Sequence, residues 1–266
     1  MPTGAGARDR GACVSRRSVI RLAQLSDTHL VGDGDPLPFG LDSAASLAAV
    51  VDAFPAPDVA VMTGDLADNG SADAYRRVLA LTSGFADELH VVAGNHDDPA
   101  AMNQVLGAGV DLGAVRLSSR WTMLLVNSQW LGHGAGRLAP ETLAALDEAL
   151  AKTRRRHVVV AMHHPPVSPC DDPYCRITNS AEVLDVLERH QQVRAVLSGH
   201  LHRAFDNTRG GIRFLGAPST CSQLIHGGEP HFVPTSAPPA ARLIDLHGDG
   251  AVTYQTVSAR YEHAEQ

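Results

Sequence analysis

The chain has 266 residues, 44% of them hydrophobic and 19% charged, enough to bury roughly 70–75% of the unfolded surface in one large or two small domains. Its 29 acidic and 22 basic side chains give a formal charge of −7, which argues against general attraction to nucleic acid or an anionic membrane. No apolar run reaches the ~18 residues of a bilayer span, and the four cysteines form no C-x-x-C pair of the zinc type.

Met1–Arg17 is rich in Gly, Ala and Arg and has no apolar h-region. It reads as a disordered leader or an upstream-shifted start rather than a signal peptide, so a cytoplasmic protein is expected. One domain is expected over 18–258, with a short tail at 259–266. Ser18–Gln24 reads as a first strand leading into Leu25-Ser26-Asp27-Thr28-His29-Leu30. Asp27 and His29 stand two apart at its end, so both can point to one side; an Asx turn beside a surface histidine would give the same pair. Gly32–Gly40 is a Gly/Pro/Asp loop, and Leu41–Phe54 has the helical spacing Leu47, Val50, Val51, Phe54 before Pro55-Ala56-Pro57.

Val59-Ala60-Val61-Met62-Thr63-Gly64-Asp65 is a short apolar run, the pattern of a strand buried on both faces. Asp65 then falls at its carboxyl end, where open α/β sheets place their ligand sites, although a turn or cap role would suit an isolated Asp. Asn69 can reach a ligand held there or cap the helix near 71–81. Leu89–Ala93 is a third strand, exiting into Gly94-Asn95-His96-Asp97-Asp98-Pro99, and Asp98-Pro99 opens another helix. Met123–Val126 is a strand, and Ala139–Ala151 a helix with Leu143, Leu146 and Leu150 on one face. Val158–Met162 is a strand stopped by His163-His164-Pro165-Pro166, where the prolines end the ladder. The irregular 167–177 segment holds Tyr174 and two cysteines and is long enough to wall a pocket. Free thiols are expected there, with a Cys170–Cys175 bridge left open. Asn179 or Ser180 caps a helix carrying Val183, Leu184 and Leu187, and Val193–Leu197 ends in Ser198-Gly199-His200-Leu201-His202. Beyond it, 204–206, 212–215, 242–246 and 252–256 look like a β-rich tail. The 221–240 stretch is expected to form a cap or a dimer contact.

Five strand-like runs thus finish in D-x-H, G-D, G-N-H-D, H-H-P-P and G-H-x-H. Carboxylate, amide and imidazole without thiolate suit Mn, Fe, Co or Zn in a catalytic setting rather than a structural cysteine zinc site. In this order the motifs resemble the signature of the calcineurin-like metallophosphoesterase superfamily, from Arg21 to about Tyr254. A narrower likeness is to the class III cyclic-nucleotide phosphodiesterases, the bacterial cyclic-AMP type. It rests on 25–30, Met162–Pro166, Asn179-Ser180-Ala181-Glu182 and Ala217–Gln223.

The resemblance implies an α/β/β/α sandwich of four layers, two mixed sheets packed face to face with helices outside. It also implies two metal ions at the carboxyl ends of the central strands. Asp27, His29, Asp65 and His202 would hold one, and Asp65, Asn95, His163 and His200 the other, with His164 behind His163. A hydroxide shared by the ions would attack a phosphodiester in line. His96, its tautomer set by Asp97 or a nearby carboxylate, would stabilise the phosphoryl group and protonate the leaving oxygen. Two divalent ions outweigh two carboxylates, so a chain of net negative charge can still attract a phosphate locally. Tyr174, His133, His226, His231 and Phe232 are further pocket candidates. Cyclic AMP is the expected substrate; glycerophosphodiesters or 2′,3′-cyclic nucleotides are the alternative, and a non-catalytic binding module the reading from another class. A homodimer is compatible with all of these.

Overall fold

The computed structural model describes residues 19–107, 112–170, 172–226 and 232–260. The leader, most of the 259–266 tail and His231 therefore lie outside the described residues. In chain order the elements are β1 (Val19–Leu25), α1 (Ser43–Ala53), β2 (Val59–Thr63), α2 (Ala72–Leu81), β3 (Glu88–Val92), α3 (Pro99–Leu106) and β4 (Leu112–Arg116). There follow β5 (Trp121–Val126), α4 (Pro140–Lys152), β6 (His157–Ala161), α5 (Ser180–Glu188), β7 (Val193–Ser198), β8 (Phe205–Arg209) and β9 (Ile212–Gly216). The chain closes with β10 (Leu224–His226), β11 (Phe232–Pro234), β12 (Ala240–His247) and β13 (Val252–Ser258).

Local chemistry sets the helix starts. Asp42 accepts from the Ala44 and Ala45 amides at the head of α1, Ser71 from Ala74 at α2, and Asp98 from Ala101 at α3, where Pro99 needs no partner for its nitrogen. Asn69 is not the cap of α2. Its Oδ1 accepts from the Ser71 amide and its own amide donates to Asp35, an Asx turn that leads into the Ser71 cap. Asn179 takes the N-cap position of α5 without capping it, because its side chain is committed to the backbone of Leu138.

The strands build two mixed sheets, in the orders β13-β12-β1-β2-β3 and β4-β5-β6-β7-β9-β8. Within them β1, β2 and β3 run parallel, as do β5, β6, β7 and β9, while β12, β13, β4 and β8 pair antiparallel at the flanks. Leu22, Val61, Met123, Val159, Leu197 and Ile244 fill the space between the sheets. The outer face of the first sheet packs under α1, α2 and α3, and that of the second under α4 and α5. The four-layer α/β/β/α sandwich is therefore present. Two buried polar side chains tie the sheets: the Gln24 amide donates to Thr63 and to the Ser198 carbonyl, and Arg242 donates to the carbonyls of Gly216 and Phe205.

Three strands escaped the sequence reading. β4 is a half-buried edge strand containing a glycine, while β10 and β11 are three residues each and too short to show a period. β8, expected at 204–206, runs on to Arg209 with polar, largely exposed residues, as an edge allows. No helix among the described residues is long and apolar enough to cross a membrane.

Candidate metal centre

All five motif-bearing strands end at one side of the sandwich, so the first sheet delivers Asp27, His29, Asp65, Asn95 and His96, and the second His163, His200 and His202. The D-x-H pair converges by a route that strand alternation does not supply. β1 stops at Leu25, and Asp27 and His29 both adopt left-handed backbone, with φ of 54° and 45°. Their amides donate to the carbonyls of Gly64 and Asp65, so the pairing with the β2 strand persists beyond the sheet. Asp65, His200 and His202 are left-handed too, at 51°, 70° and 47°. Backbone strain of this kind, on the order of 1–3 kcal/mol per residue, persists only where the surroundings over-determine it and clusters at functional sites.

The glycines of the motifs answer to the same crowding. Gly64 has φ 93°, and a Cβ there would meet the His163 ring; one on Gly94 would strike the Asp65 carboxylate, and one on Gly199 the side chains of Ser26 and Asp27.

Hydrogen bonds fix which ring nitrogens keep a lone pair. His29 Nδ1 lies 2.9 Å from Asp68 Oδ1, and His202 Nδ1 2.8 Å from the Ser222 carbonyl, so each ring donates outward. The two Nε2 atoms then face each other at 3.0 Å, with Asp27 Oδ1 3.6 Å from His202 Nε2 and Asp65 Oδ2 3.8 Å from His29 Nε2. His163 Nδ1 donates to the Thr63 carbonyl at 2.7 Å, leaving Nε2 3.2 Å from both Asp65 Oδ2 and Asn95 Oδ1. His200 Nε2 donates to the Tyr174 carbonyl at 2.8 Å, which leaves Nδ1 as its lone-pair nitrogen. His164 differs: Nδ1 is bonded to Ser128 Oγ at 2.9 Å and Nε2 to the Gly134 carbonyl at 3.0 Å, so neither nitrogen is spare.

Acceptors facing acceptors at these distances repel unless positive charge lies between them. Asp27 Oδ2 is buried with no hydrogen-bond partner. Burial pushes its carboxyl up to about 6, against the pull of His163. Burial would lower His163 and raise Asp65, yet each holds the other charged: the imidazole rises to about 9 and the carboxyl falls well below its usual range. Burial together with charged neighbouring imidazoles keeps His200 down at about 3 and His202 well below the ordinary histidine range. A proton on His163 does locally what a cation would do for the whole group. Asp27, His29, Asp65 and His202 form one cluster able to hold an ion, His163, His164 and His200 a second, and His29, Asp68 and His96 a third. In the second, both His164 nitrogens are already bonded, which leaves His163 and His200 as its donors. The donor set and the orphaned oxygen fit divalent metals of the oxygen- and nitrogen-loving kind.

His29, Phe39, Asp65, His96, Tyr174 and Phe232 are among the residues around a small pocket here, of about 40 Å³. Leu224 and His226 complete its β10 side. His96 is exposed, and its Nδ1 donates to the Asp68 backbone carbonyl at 2.9 Å. Asp97 does not orient it: buried, it accepts from the amides of Leu66, Ala67 and Gly94 and from the Tyr75 hydroxyl. Tyr174 tilts over His200 at 4.8 Å, and burial pushes its phenol up to about 12. His133 lies apart, exposed and stacked on Trp130. The sequence reading missed two contributors. Phe39, left-handed at φ 53°, sets its ring edge against His29 and His202; a lone aromatic in a Gly/Pro loop was the available signal. Asp68, three residues beyond Asp65, orients His29 through its carboxylate and His96 through its carbonyl.

A family model for calcineurin-like phosphoesterases matches residues 20–204. The chain belongs to that family. It is 34% identical over 238 residues to the 3′,5′-cyclic adenosine monophosphate phosphodiesterase CpdA of Pseudomonas aeruginosa, covering 87% of each chain. It is 32% identical to the 3′,5′-cyclic-nucleotide phosphodiesterase alr5338 of Nostoc, over 88% of this chain and 90% of that one. Among solved structures, a dimetal phosphatase from Danio rerio superposes with a TM-score of 0.67 at 17% identity, over 91% of this chain and all of that one. GAP50, the anchor in the inner membrane complex of Plasmodium, gives 0.65 at 14% identity over 92% and 86%. At such identities these two show the fold alone. The family and the His/Asp cluster together indicate a dinuclear divalent metal centre.

Proposed function

We propose that this chain is a metal-dependent phosphodiesterase that hydrolyses 3′,5′-cyclic nucleotides, cyclic AMP to 5′-AMP. The observation that carries the reading is the set of lone pairs, from both sheets, turned on one another around Asp65 and Asp27. Asp27, His29, Asp65 and His202 would hold one ion, and Asp65, Asn95, His163 and His200 the other, drawn from Fe, Mn, Co or Zn. Two bound ions would supply positive charge for the phosphoryl oxygens and lower the pKa of coordinated water toward neutrality.

The remaining work falls to side chains. Thr63, Ser222, Asp68 and the Tyr174 carbonyl fix the tautomers of His163, His202, His29 and His200, so each presents a bare nitrogen inward. His164 braces the β6 exit through Ser128 and Gly134. The Asn95 amide and His96 face the scissile phosphate and stabilise the charge that builds on it. With Nδ1 donated to Asp68, a proton on His96 Nε2 is placed for the leaving 3′ oxygen. Tyr174, Phe39 and Phe232 supply aromatic surface for the nucleoside. Asn69 acts at one remove, since its amide is held by Asp35. The β10–β11 hairpin, inside the 221–240 segment, caps the site; its outward Ile225 and Val233, 58% and 46% exposed, offer a face to a second copy. A cytoplasmic setting accords with the three unbridged thiols among the described residues and with the substrate class.

The test is turnover of 3′,5′-cyclic AMP by the Mn-loaded protein, with bis(p-nitrophenyl) phosphate in parallel. Release of 5′-AMP together with diester cleavage supports the reading. Cleavage of the generic diester alone keeps the phosphodiesterase and discards the substrate. Metal bound without turnover of either would make the chain a binding module.

A further inference from the structure

A groove of about 700 Å³ lies at the other end of the sandwich, at the amino ends of β6 and β7. Arg154, Arg155 and Arg156 enter it from the turn after α4, Arg189 from the end of α5, and His157 and Arg194 from the first residues of the two strands. His190, Gln191 and Gln192 complete the lining, and no carboxylate contributes to it. In a chain of net charge −7 this is a marked concentration of one sign.

The plain explanation is that basic residues complement helix carboxyl ends, and α4 and α5 both finish here. Each end carries about half a negative charge, so two of them account for roughly one of the five guanidinium groups. Asp147 takes a second, lying 3.4 Å from Arg189 and 2.7 Å from His190 Nε2. Asp249 stands near the margin beside His157. A surplus of about two positive charges is left over by this reckoning. The pairing confirms the shortage of anions: Arg194 Nε donates to an imidazole nitrogen, His157 Nδ1, at 3.3 Å, where a carboxylate is the usual partner. Among the described residues, Arg156 reaches the Thr122 hydroxyl, at 3.5 Å.

We propose that this groove is a second ligand site, which binds a small anion carrying two or more phosphate groups. Several planar guanidinium forks converging from three segments match the geometry of linked phosphates better than that of a single carboxylate. The volume is ample for a nucleotide-sized molecule. The site is distinct from the metal centre: β6 and β7 separate them, and their five and six residues span about 17 and 20 Å at ~3.3 Å each.

The experiment is calorimetric titration of the metal-loaded protein with inorganic tripolyphosphate and, separately, with ATP, in excess Mg²⁺ so that neither strips the enzyme's own ions. Wild type is compared with Arg154→Glu/Arg155→Glu, both exposed, and with Arg76→Glu/Arg116→Glu, which makes the same charge change elsewhere on the surface. The expected result is one binding event more in wild type than in the groove variant, or the same event weakened roughly tenfold or more, and weakened further by added salt. Turnover of bis(p-nitrophenyl) phosphate should be unchanged in the groove variant, and the surface control should bind as wild type does. Tighter binding of ATP than of tripolyphosphate would assign the site to nucleotides, and equal binding to the phosphate chain alone; either supports the site. Equal binding in wild type and groove variant, or equal weakening in the control, would overturn it.

Discussion

Asp65 sits at the meeting of both ligand sets: Oδ2 is 3.2 Å from His163 Nε2 and 3.8 Å from His29 Nε2, and Oδ1 accepts from the His96 amide at 2.9 Å. Asp65→Ala should therefore empty both ion positions and abolish turnover, and metal analysis of the purified variant checks it; retention of one ion would mean that the carboxylate does not bridge. His96 touches the site differently: it is exposed, its Nδ1 donates to the Asp68 carbonyl, and it lies against His29 at the edge of the cluster. His96→Ala should keep its full metal content while turnover falls about 10²–10⁴-fold, the range of general acid catalysis. Loss of metal in that variant would move His96 into the ligand set. The motif residues were legible in the sequence because carboxylate, amide and imidazole recur after apolar runs. What their spacing did not reveal was how they converge. Left-handed backbone at Asp27, His29, Asp65, His200 and His202 is bound up with contacts between residues far apart in the chain. The spaces that only glycine fits are set by Asp65 from the neighbouring strand at Gly94 and by Ser26 and Asp27 from the other sheet at Gly199. Local sequence carries no trace of either.

At the level of elements, the helices could be read from their apolar spacing and the central strands from continuous apolar runs closed by glycine, proline or polar residues. β4, β10 and β11 could not, since pairing with a neighbour alone makes them strands. The tie between the sheets was hidden for a related reason. Arg242 opens a stretch that reads as ordinary tail, yet it is 2% exposed, its guanidinium lies 4.2 Å from the centre of the Tyr254 ring, and it donates at 2.7 Å to the carbonyls of Gly216 and Phe205. It thereby fastens β12 of one sheet to β8 and β9 of the other. Arg242→Leu fills much of the volume but strands both carbonyls, and should cost about 2–4 kcal/mol. The urea midpoint should fall with the slope unchanged. A midpoint equal to that of wild type would mean that apolar packing between the sheets suffices without the arginine.

Across the whole molecule the charge of −7 is unevenly spread: acids and imidazoles gather at the carboxyl ends of the strands, and arginines at the amino ends of β6 and β7. The basic end should make stability respond to mild acid. His157 lies tilted beside Trp121, at 5.2 Å between ring centres, and accepts from Arg194. Burial, then Arg194 and Arg120, hold its pKa below the ordinary 6.5; the Gly248 carbonyl and Asp249 oppose this without prevailing. A histidine depressed in the folded state binds its proton more readily when unfolded. Its contribution is therefore fully present above pH 6.5 and drains away as the pH falls through the folded value. His157→Gln keeps an acceptor for Arg194 and cannot titrate. Between pH 7.5 and 5.5 the denaturant midpoint of wild type should therefore drop further than that of His157→Gln. Parallel losses in the two proteins would show that the arginine field does not reach His157. A larger loss in the variant would reverse the sign, placing the net influence of Asp249 and the Gly248 carbonyl above that of Arg194 and Arg120.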